Sequence, residues 1–280
     1  MSDFSHADGT SPYPTVGSAA AFFDLDRTLI SGSSAFVLAI AARKAGLVAT
    51  SQFVRDAGSA IAFRFSGASD DTSHGVRDRI LGAVRGVRVD DLIALNIDIV
   101  PKLMAKVRPE AMRLIDTHRH AGRATYIVSA SPIELVEPLA KALGMTAGIG
   151  TRSEIVDGVY TGELAAPFCY GPGKVAAMEE IARWEGLELD RCWAYSDSAS
   201  DLPMMYAVGH PVAVNPDAKL ERLAAEQGWP VVVFSKRTKA VVRRTTQAVG
   251  TAGVGVAGFA AGMKFARRRL ISAAATHIGD

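Results

Sequence analysis

The fold is decided by one stretch near the start of the chain, Ala20-Ala21-Phe22-Phe23-Asp24-Leu25-Asp26-Arg27-Thr28. It joins a run of apolar residues to two aspartates that stand two positions apart. A short apolar run with a clear end is typical of a buried strand in a parallel sheet. The stretch therefore predicts a strand whose carboxyl end carries Asp24 and Asp26.

Two later runs have the same form. Tyr126-Ile127-Val128 leads into Ser129, and Cys192-Trp193-Ala194-Tyr195 leads into Asp197-Ser198-Ala199-Ser200-Asp201. In an open α/β sheet, ligands bind outside the carboxyl ends of the strands, so polar groups that are distant in sequence can meet in one crevice. The three strand ends together predict a site with four carboxylates and a hydroxyl.

Helical signals alternate with these strands. Helices are predicted over 35–45, 89–107 and 109–121, from a capping box at Ser131-Pro132-Ile133-Glu134 to Gly144, and after Gly171-Pro172-Gly173; further strands are predicted at 212–214 and 231–234. This alternation predicts the α/β class, with a doubly wound (Rossmann-like) parallel sheet as core and an inserted helical cap domain. We expect a flexible leader over 1–18, a core formed by 19–32 and 108–235, a helical cap over 33–107, and a basic Gly/Ala-rich tail over 236–280.

The carboxylates suit phosphoryl transfer. A phosphomonoester is anionic, so a carboxylate attacks its phosphorus only if a cation offsets the repulsion, and Mg²⁺ held by one or two carboxylates suits that task. Asp24 is the candidate nucleophile. Asp26 would protonate the leaving alkoxide and then deprotonate the hydrolytic water. Asp197 and Asp201 would supply or orient the metal.

Two further residues would hold the phosphate. Ser129 follows a strand, and Lys174 lies in the first turn of a predicted helix, where its charge would also stabilise a phosphoryl transition state. Each has a simpler interpretation, Ser129 as a turn residue and Lys174 as a solvated helix residue. Likewise, an aspartate after a strand often caps a helix, and Asp201 could cap the helix holding Leu202-Pro203-Met204-Met205. The catalytic interpretation depends on these residues occurring together, in this order along the chain.

Three other polar residues have open roles. Arg27 pairs either with the substrate or with a cap carboxylate. His118 and His120 lie two positions apart on a predicted helix, hence on different faces, and are interpreted as surface residues rather than ligands.

In this order, the residues resemble the four motifs of the haloacid dehalogenase superfamily, in subclass IB, which includes phosphoserine phosphatases. The resemblance spans residues 19–235 and includes Val128-Ser129-Ala130-Ser131, the hairpin Asp157-Gly158-Val159-Tyr160-Thr161-Gly162-Glu163, and Gly173-Lys174. It implies that Asp24 becomes phosphorylated and that the backbone carbonyl of Asp26 binds Mg²⁺. It also implies that Asp197 binds the metal directly, whereas Asp201 acts through water or from outside the direct ligands.

Two positions, Ser33 and Ser200, depart from the family pattern. A third, Arg79, is matched to it by an ungapped alignment. Phosphoserine phosphatases carry a glutamate nine residues after the nucleophile, where this chain has Ser33, which puts free phosphoserine in doubt as the substrate. The cap arginine that binds the substrate carboxylate corresponds to Arg79, which could equally be structural. Ser200 stands where an asparagine often helps to hold the substrate.

Composition agrees with a single enzyme domain. The chain has 280 residues, of which 49% are hydrophobic, so it can bury the core of one α/β domain with an insertion. Cys169 and Cys192 lack a metal-ligand spacing and are expected to be buried, reduced thiols. The first residues lack the basic-then-apolar order of a secretory signal, which predicts a cytoplasmic protein.

The tail is the second unusual feature. Between Lys236 and Asp280 the chain has nine basic residues and one acidic residue, which indicates an anionic surface as partner. The uncharged stretch between Arg244 and Lys264 is rich in Gly, Ala and Thr, which favours peripheral attachment to the inner face of the membrane over insertion. A disordered basic tail is the alternative. An aromatic content of 7% and the lack of a recognition motif argue against nucleic acid.

The leading hypothesis is therefore a Mg²⁺-dependent phosphomonoesterase that works through an aspartyl-phosphate. Its substrate would be a small alcohol phosphate or a lipid-headgroup phosphate such as lysophosphatidic acid. The alternatives are a phosphoserine phosphatase and a catalytically silent, membrane-associated binding protein.

Overall fold

The core of the protein is a seven-stranded sheet. The computed structural model describes residues 17–47, 77–78, 81–82 and 84–234, together with the backbone of 241–243. The strands are β1 (Ala20–Phe23), β2 (Ala124–Pro132), β3 (Ala147–Thr151), β4 (Ser153–Val156), β5 (Val159–Leu164), β6 (Trp193–Ser196), β7 (His210–Val214), β8 (Val231–Val233) and β9 (Val241–Arg243). The sheet order is β3-β2-β1-β6-β7-β8-β9, and every pairing is parallel except that of β8 with β9.

Helices connect the parallel strands. Those with described bounds are α1 (Ser34–Lys44), α2 (Val89–Ala94), α3 (Asn96–Met104), α4 (Pro109–His120), α5 (Ile133–Ala142), α6 (Pro172–Glu185), α7 (Leu202–Tyr206) and α8 (Ala218–Gln227). Because the strand order reverses between β1 and β6, helices cover both faces of the sheet. The predicted doubly wound α/β core is confirmed.

The two faces of the sheet carry separate apolar cores. Phe22 and Phe23 are adjacent in β1 and fully buried, yet they belong to different clusters because successive side chains of a strand point to opposite faces. Phe23 packs with Ile127 and with residues of α4 and α5, whereas Phe22 stacks on Tyr126 beneath α6 and α7. Burial on both faces explains why β1 is uniformly apolar rather than alternating.

Register aligns the polar groups at one edge. Phe23 pairs with Ile127 of β2 and with Tyr195 of β6, and the N–H of Asp24 continues this ladder by donating to the carbonyl of Tyr195 at 2.9 Å. Asp24 thus follows one strand end while Ser129 and Asp197 follow its two neighbours. The strand register, not proximity in sequence, assembles the site.

A small hairpin lies outside the large sheet. Strands β4 and β5 are antiparallel and are joined by Asp157 and Gly158, which have φ values of +52° and +76°. Positive φ at both central residues is the type I′ geometry that an Asp-Gly pair favours. The hairpin predicted from Asp157-Gly158 is confirmed.

Two helix predictions were wrong in detail. The predicted helix over 89–107 is two helices, α2 and α3, separated at Leu95. The predicted capping box at Ser131 does not form, since β2 runs to Pro132 and the helix begins at Ile133 with no side-chain cap. Ser131 instead shares a buried 2.7 Å hydrogen bond with the hydroxyl of Ser34, so a tertiary contact replaced the local cap.

The prediction that His118 is a surface residue was wrong, whereas His120 is exposed as predicted. His118 is 2% exposed and packs edge-on against Phe23, Trp193 and Tyr195. The helix face to which His118 belongs is turned towards the sheet, which a spacing rule does not reveal. Both cysteines are buried and free, as predicted.

Several predictions fall partly outside the described residues. These include most of the leader, the cap residues 48–76, Arg79 and nearly all of the tail. Residues 241–243 of the predicted tail form β9 at the edge of the sheet. The boundaries of leader, core, cap and tail stay predictions. Within the part of the chain that the structure describes, no helix has the length and apolar content needed to cross a membrane.

Candidate active site

The centre of the site is a buried lysine between two carboxylates. Lys174 Nζ donates to Asp24 Oδ1 at 2.6 Å and to Asp201 Oδ2 at 2.9 Å, and the lysine is only 2% exposed. These three residues come from the end of β1, the first turn of α6 and the loop after β6. The structure therefore brings together three of the sequence-predicted site residues.

Close backbone packing places Lys174. A Cβ atom on the preceding residue, Gly173, would lie 1.8 Å from the carbonyl oxygen of Phe168, so only glycine fits there. Gly171 has a φ of +52°, which also favours glycine. The two glycines allow the chain to turn tightly into α6 and to direct the lysine into the site.

Asp26 is held at the entrance to α1. Its Oδ1 accepts the backbone N–H of Ser34 at 2.8 Å, and its Oδ2 accepts the hydroxyl of Ser33 at 3.2 Å. The Ser33 hydroxyl also accepts the N–H of Phe36 as the N-cap of α1. The position that carries a glutamate in phosphoserine phosphatases thus holds Asp26 and starts a helix here.

Ser129 lies at the same edge of the sheet. It is buried, and its hydroxyl oxygen accepts the N–H of Ser131 at 3.2 Å. That bond uses a lone pair, so the hydroxyl proton stays available to a phosphate oxygen.

Asp197 forms an ion pair with an arginine from the loop that follows β1. Arg27 Nε lies 2.7 Å from Asp197 Oδ2, with side-chain exposures of 51% and 6% respectively. Asp197 follows a core strand, so this ion pair is with neither of the partners left open for Arg27, the substrate and a cap carboxylate, and both of those roles stay predictions.

Hydrogen bonds from Asp217 hold the loop that carries Asp197, and sequence reasoning missed this residue. The N–H of Asp217 donates to the carbonyl of Asp197 at 2.7 Å, and its Oδ2 accepts the N–H of Ala199 at 2.9 Å. Its other oxygen caps α8. The cap could have been found from an aspartate before a helical pattern, but the bonds to the neighbouring loop depend on strand register.

Asp201 and Ser200 have distinct surroundings. Asp201 accepts the hydroxyl of Ser196 at 2.7 Å as well as the lysine, and its side chain makes no helix-capping bond to α7. Asp201 stands at the N-cap position of α7, but the alternative that its side chain caps this helix was wrong. Ser200 is half-buried and donates its hydroxyl to Ser198 at 3.0 Å.

Burial dominates the electrostatics. It raises the pKa of Asp24 to about 7 despite the lowering effect of Lys174. It raises the pKa of Asp197 to about 8, with the Asp24 charge adding to the rise and Arg27 opposing it. Burial likewise raises the pKa of Asp26, against the Ser34 hydrogen bonds. Burial alone would lower the pKa of Lys174, but Asp201 and Asp24 outweigh it and raise that pKa.

The donor set has the chemistry that Mg²⁺ requires. Asp24 and Asp197 each keep one carboxylate oxygen outside the bonds to Lys174 and Arg27, and both pKa values are raised by burial and by neighbouring carboxylates. Hard oxygen ligands and unrelieved negative charge fit a divalent cation.

The carboxylates of two predicted metal-site residues are engaged by other groups. Over the described ranges, no group of three or more His, Cys, Asp or Glu side chains is arranged to hold a metal. Asp201 is bound by Lys174 and Ser196, and Asp26 by the two serines at the start of α1. The predicted metal set of Asp24, Asp26, Asp197 and Asp201 stays a prediction, as does Mg²⁺ itself.

Comparisons with known proteins agree with this geometry. Residues 21–206 match the haloacid dehalogenase-like hydrolase family. The chain is 39% identical over 251 residues to a probable phosphatase of Mycobacterium tuberculosis, covering 87% of this chain and 86% of the relative. It is 37% identical over 268 residues to the phosphoserine phosphatase SerB1 of the same organism, covering 91% and 84%.

Solved structures show the same architecture. A protein of unknown function from Bordetella pertussis has a TM-score of 0.67 at 26% identity, covering 76% of this chain and 97% of that one. A phospho-aspartyl intermediate analogue of phosphoserine phosphatase has a TM-score of 0.52 at 21% identity, covering 72% and 89%, which shows a shared fold. The chain therefore belongs to the haloacid dehalogenase-like hydrolase family.

Proposed function

We propose that the protein is a phosphoric monoester hydrolase that works through an aspartyl-phosphate intermediate. The carrying observation is the buried Lys174 Nζ, which bridges Asp24 and Asp201 at 2.6 and 2.9 Å beside the two strand ends that carry Ser129 and Asp197. A nucleophile, a fixed cation and a phosphate-binding hydroxyl are the parts that phosphoryl transfer requires.

Asp24 acts as the nucleophile, and Asp26 acts as the general acid and then as the general base. A carboxylate oxygen of Asp24 forms a bond to phosphorus while the bond to the alkyl oxygen breaks, and Asp26 gives its proton to that oxygen. Asp26 then takes a proton from water, which attacks phosphorus, breaks the acyl-phosphate bond and restores Asp24. Burial raises the pKa of Asp26, which is the direction that suits a group that must give up a proton and take one back.

Lys174 and Ser129 would bind the phosphoryl oxygens, and Asp201 would keep the lysine in place. When bound, Mg²⁺ supplies positive charge that offsets the repulsion between Asp24 and the phosphate; Asp24, the Asp26 carbonyl and Asp197 would hold it. Arg79 and Ser200 are proposed to contact the remainder of the substrate, Arg79 from outside the described residues.

The test compares phosphate release by the wild type, Asp24→Asn and Asp116→Asn in the presence of Mg²⁺. Asp116 is a matched control, since it is a partly exposed aspartate on α4 whose ion pair is with Arg119. The panel contains glycerol phosphate, phosphoserine and lysophosphatidic acid. We expect Asp24→Asn to lower release at least ~10³-fold and Asp116→Asn to leave it unchanged.

Each outcome has a distinct meaning. Equal release by wild type and Asp24→Asn would refute the aspartyl-phosphate mechanism. A folded wild type that releases no phosphate from any member and binds no inorganic phosphate would favour a catalytically silent binding protein. A requirement for Mg²⁺ is read from the same assay after treatment with a chelator.

For the substrate, we propose a small alcohol or lipid-headgroup phosphate such as lysophosphatidic acid. Ser33 supports this choice, because its hydroxyl is engaged with Asp26 and the start of α1 and offers no negative charge to a substrate ammonium group. The second candidate is phosphoserine, which the 37% identity to SerB1 favours. The ratio of kcat/KM for lysophosphatidic acid and phosphoserine separates the two.

The basic tail is proposed to bring this cytoplasmic enzyme to the inner face of an anionic membrane. The nine basic residues beyond 235 support this, at about 1 kcal/mol for each that reaches the surface. Sedimentation with vesicles containing anionic lipid tests it. Equal binding to neutral and anionic vesicles would contradict it.

A further inference from the structure

Arg27 adopts a conformation that is costly for its residue type. Its φ is +64°, and the other described non-glycine residues with positive φ are Asp157 and Asn215. Asp and Asn tolerate this region because their short side chains bond locally, but an arginine gains nothing comparable and loses about 1–2 kcal/mol. A strained residue three positions after the proposed nucleophile indicates that its position serves the site.

The ion pair with Asp197 uses only part of the guanidinium. Arg27 Nε contacts Asp197 Oδ2 at 2.7 Å, and among the described residues the side chain has no other ion pair or side-chain hydrogen bond. Within the described part of the chain, both Nη groups, with four N–H donors, are therefore uncommitted. The arginine side chain is 51% exposed whereas Asp197 is 6% exposed, so the guanidinium extends from the buried site towards solvent.

The charge of the site calls for a second cation. Asp24, Asp26, Asp197 and Asp201 lie at the same edge of the sheet as one buried lysine, whose ammonium group already bonds to two of them. A phosphomonoester dianion that enters this site meets four carboxylates and, besides the proposed Mg²⁺, one buried lysine. An anchored guanidinium suits phosphate oxygens because its N–H groups form a planar fork that binds two oxygens at once.

We propose that Arg27 is a substrate-binding residue, in which the Asp197 ion pair anchors Nε while the Nη groups bind the phosphoryl oxygens. The proposal deepens the phosphatase function and rests on it. Arg27 thus links the expected metal ligand to the phosphate and adds a phosphate contact to those of Lys174 and Ser129.

Binding of inorganic phosphate tests the proposal without turnover. The phosphate Kd is measured by isothermal titration calorimetry at saturating Mg²⁺ for wild type, Arg27→Gln, Arg27→Gly and Arg191→Gln. Glycine suits the positive φ, so Arg27→Gly keeps the backbone even if Arg27→Gln is unstable. Arg191 is a matched control, because it is exposed and paired with Glu188 away from the site.

We expect both Arg27 variants to raise the phosphate Kd at least ~10-fold, as loss of a charge-assisted bidentate contact should, and Arg191→Gln to leave it unchanged. An unchanged phosphate Kd in Arg27→Gly would overturn the proposal. The Mg²⁺ Kd is measured on the same proteins without phosphate: if it alone changes, Arg27 only orients Asp197 and the proposal is wrong. A folded wild type that binds no phosphate would refute the phosphatase function, and the Arg27 contact with it.

Discussion

His118 should make the protein less stable in mild acid. Arg123 Nε donates to His118 Nδ1 at 2.9 Å, so that nitrogen is an acceptor and Nε2–H is left to donate to the Tyr195 hydroxyl at 2.8 Å. A second proton would have to enter at Nδ1, against the guanidinium and inside an aromatic cluster. Burial, and then the charge of Arg123, lower the pKa of His118 to about 3.

The size of the effect follows from linkage. The unfolded chain has a His118 pKa near 6.5 and the folded chain near 3, so between these values the unfolded state binds more protons and stability rises with pH. At pH 5 the resulting loss of unfolding free energy is about 2 kcal/mol, and below pH 3 it approaches about 5 kcal/mol. At pH 8 the loss is near zero because neither state is protonated.

Urea denaturation at pH 8 and pH 5 measures this loss. His118→Gln keeps an N–H for Tyr195 but cannot titrate, so its unfolding free energy should fall about 2 kcal/mol less than that of the wild type between the two pH values, or ~0.7 M in midpoint for a slope near 3 kcal/mol/M. His120→Gln, on the exposed face of the same helix, should follow the wild type. Equal pH dependence in wild type and His118→Gln would refute the reasoning.

Two further predictions concern Lys174. Replacing it by methionine leaves two buried carboxylates without their cation, so phosphate release should fall at least ~100-fold and the unfolding free energy by about 3 kcal/mol; wild-type release would contradict its role. Gly173→Ala should shift the start of α6, because the added Cβ would meet the Phe168 carbonyl, and should lower both release and the melting temperature. Gly186→Ala, where the added Cβ meets open space at a φ of +66°, should lower only stability, by about 1 kcal/mol, and serves as its control.

Local chemistry explains why much of the fold could be predicted. The apolar run before Asp24 indicates a strand buried on both faces, and Asp157-Gly158 indicates a type I′ hairpin, because each depends on residues within a few positions. The order of polar strand ends then places Asp24, Ser129 and Asp197 at one edge, since parallel strands share a direction.

Where local patterns failed, a long-range contact had replaced them. Ser131 has the surroundings of a helix cap, but its hydroxyl meets Ser34 from a segment 97 residues away. His118 has the spacing of a surface residue, but the helix face that carries it rests on Trp193 and Tyr195. Neither contact leaves a signal within a short window of sequence.

The sequence by itself determined which strands end in carboxylates, which helix carries Lys174, and that a glycine precedes this lysine. Only the tertiary structure decided which charges meet, namely Lys174 with Asp24 and Asp201, and Arg27 with Asp197. Lys174 and Asp24 are 150 residues apart. Such pairs depend on the register of neighbouring strands and on the angle at which a helix starts, and both are set by packing of the whole core rather than by the residues next to each charge.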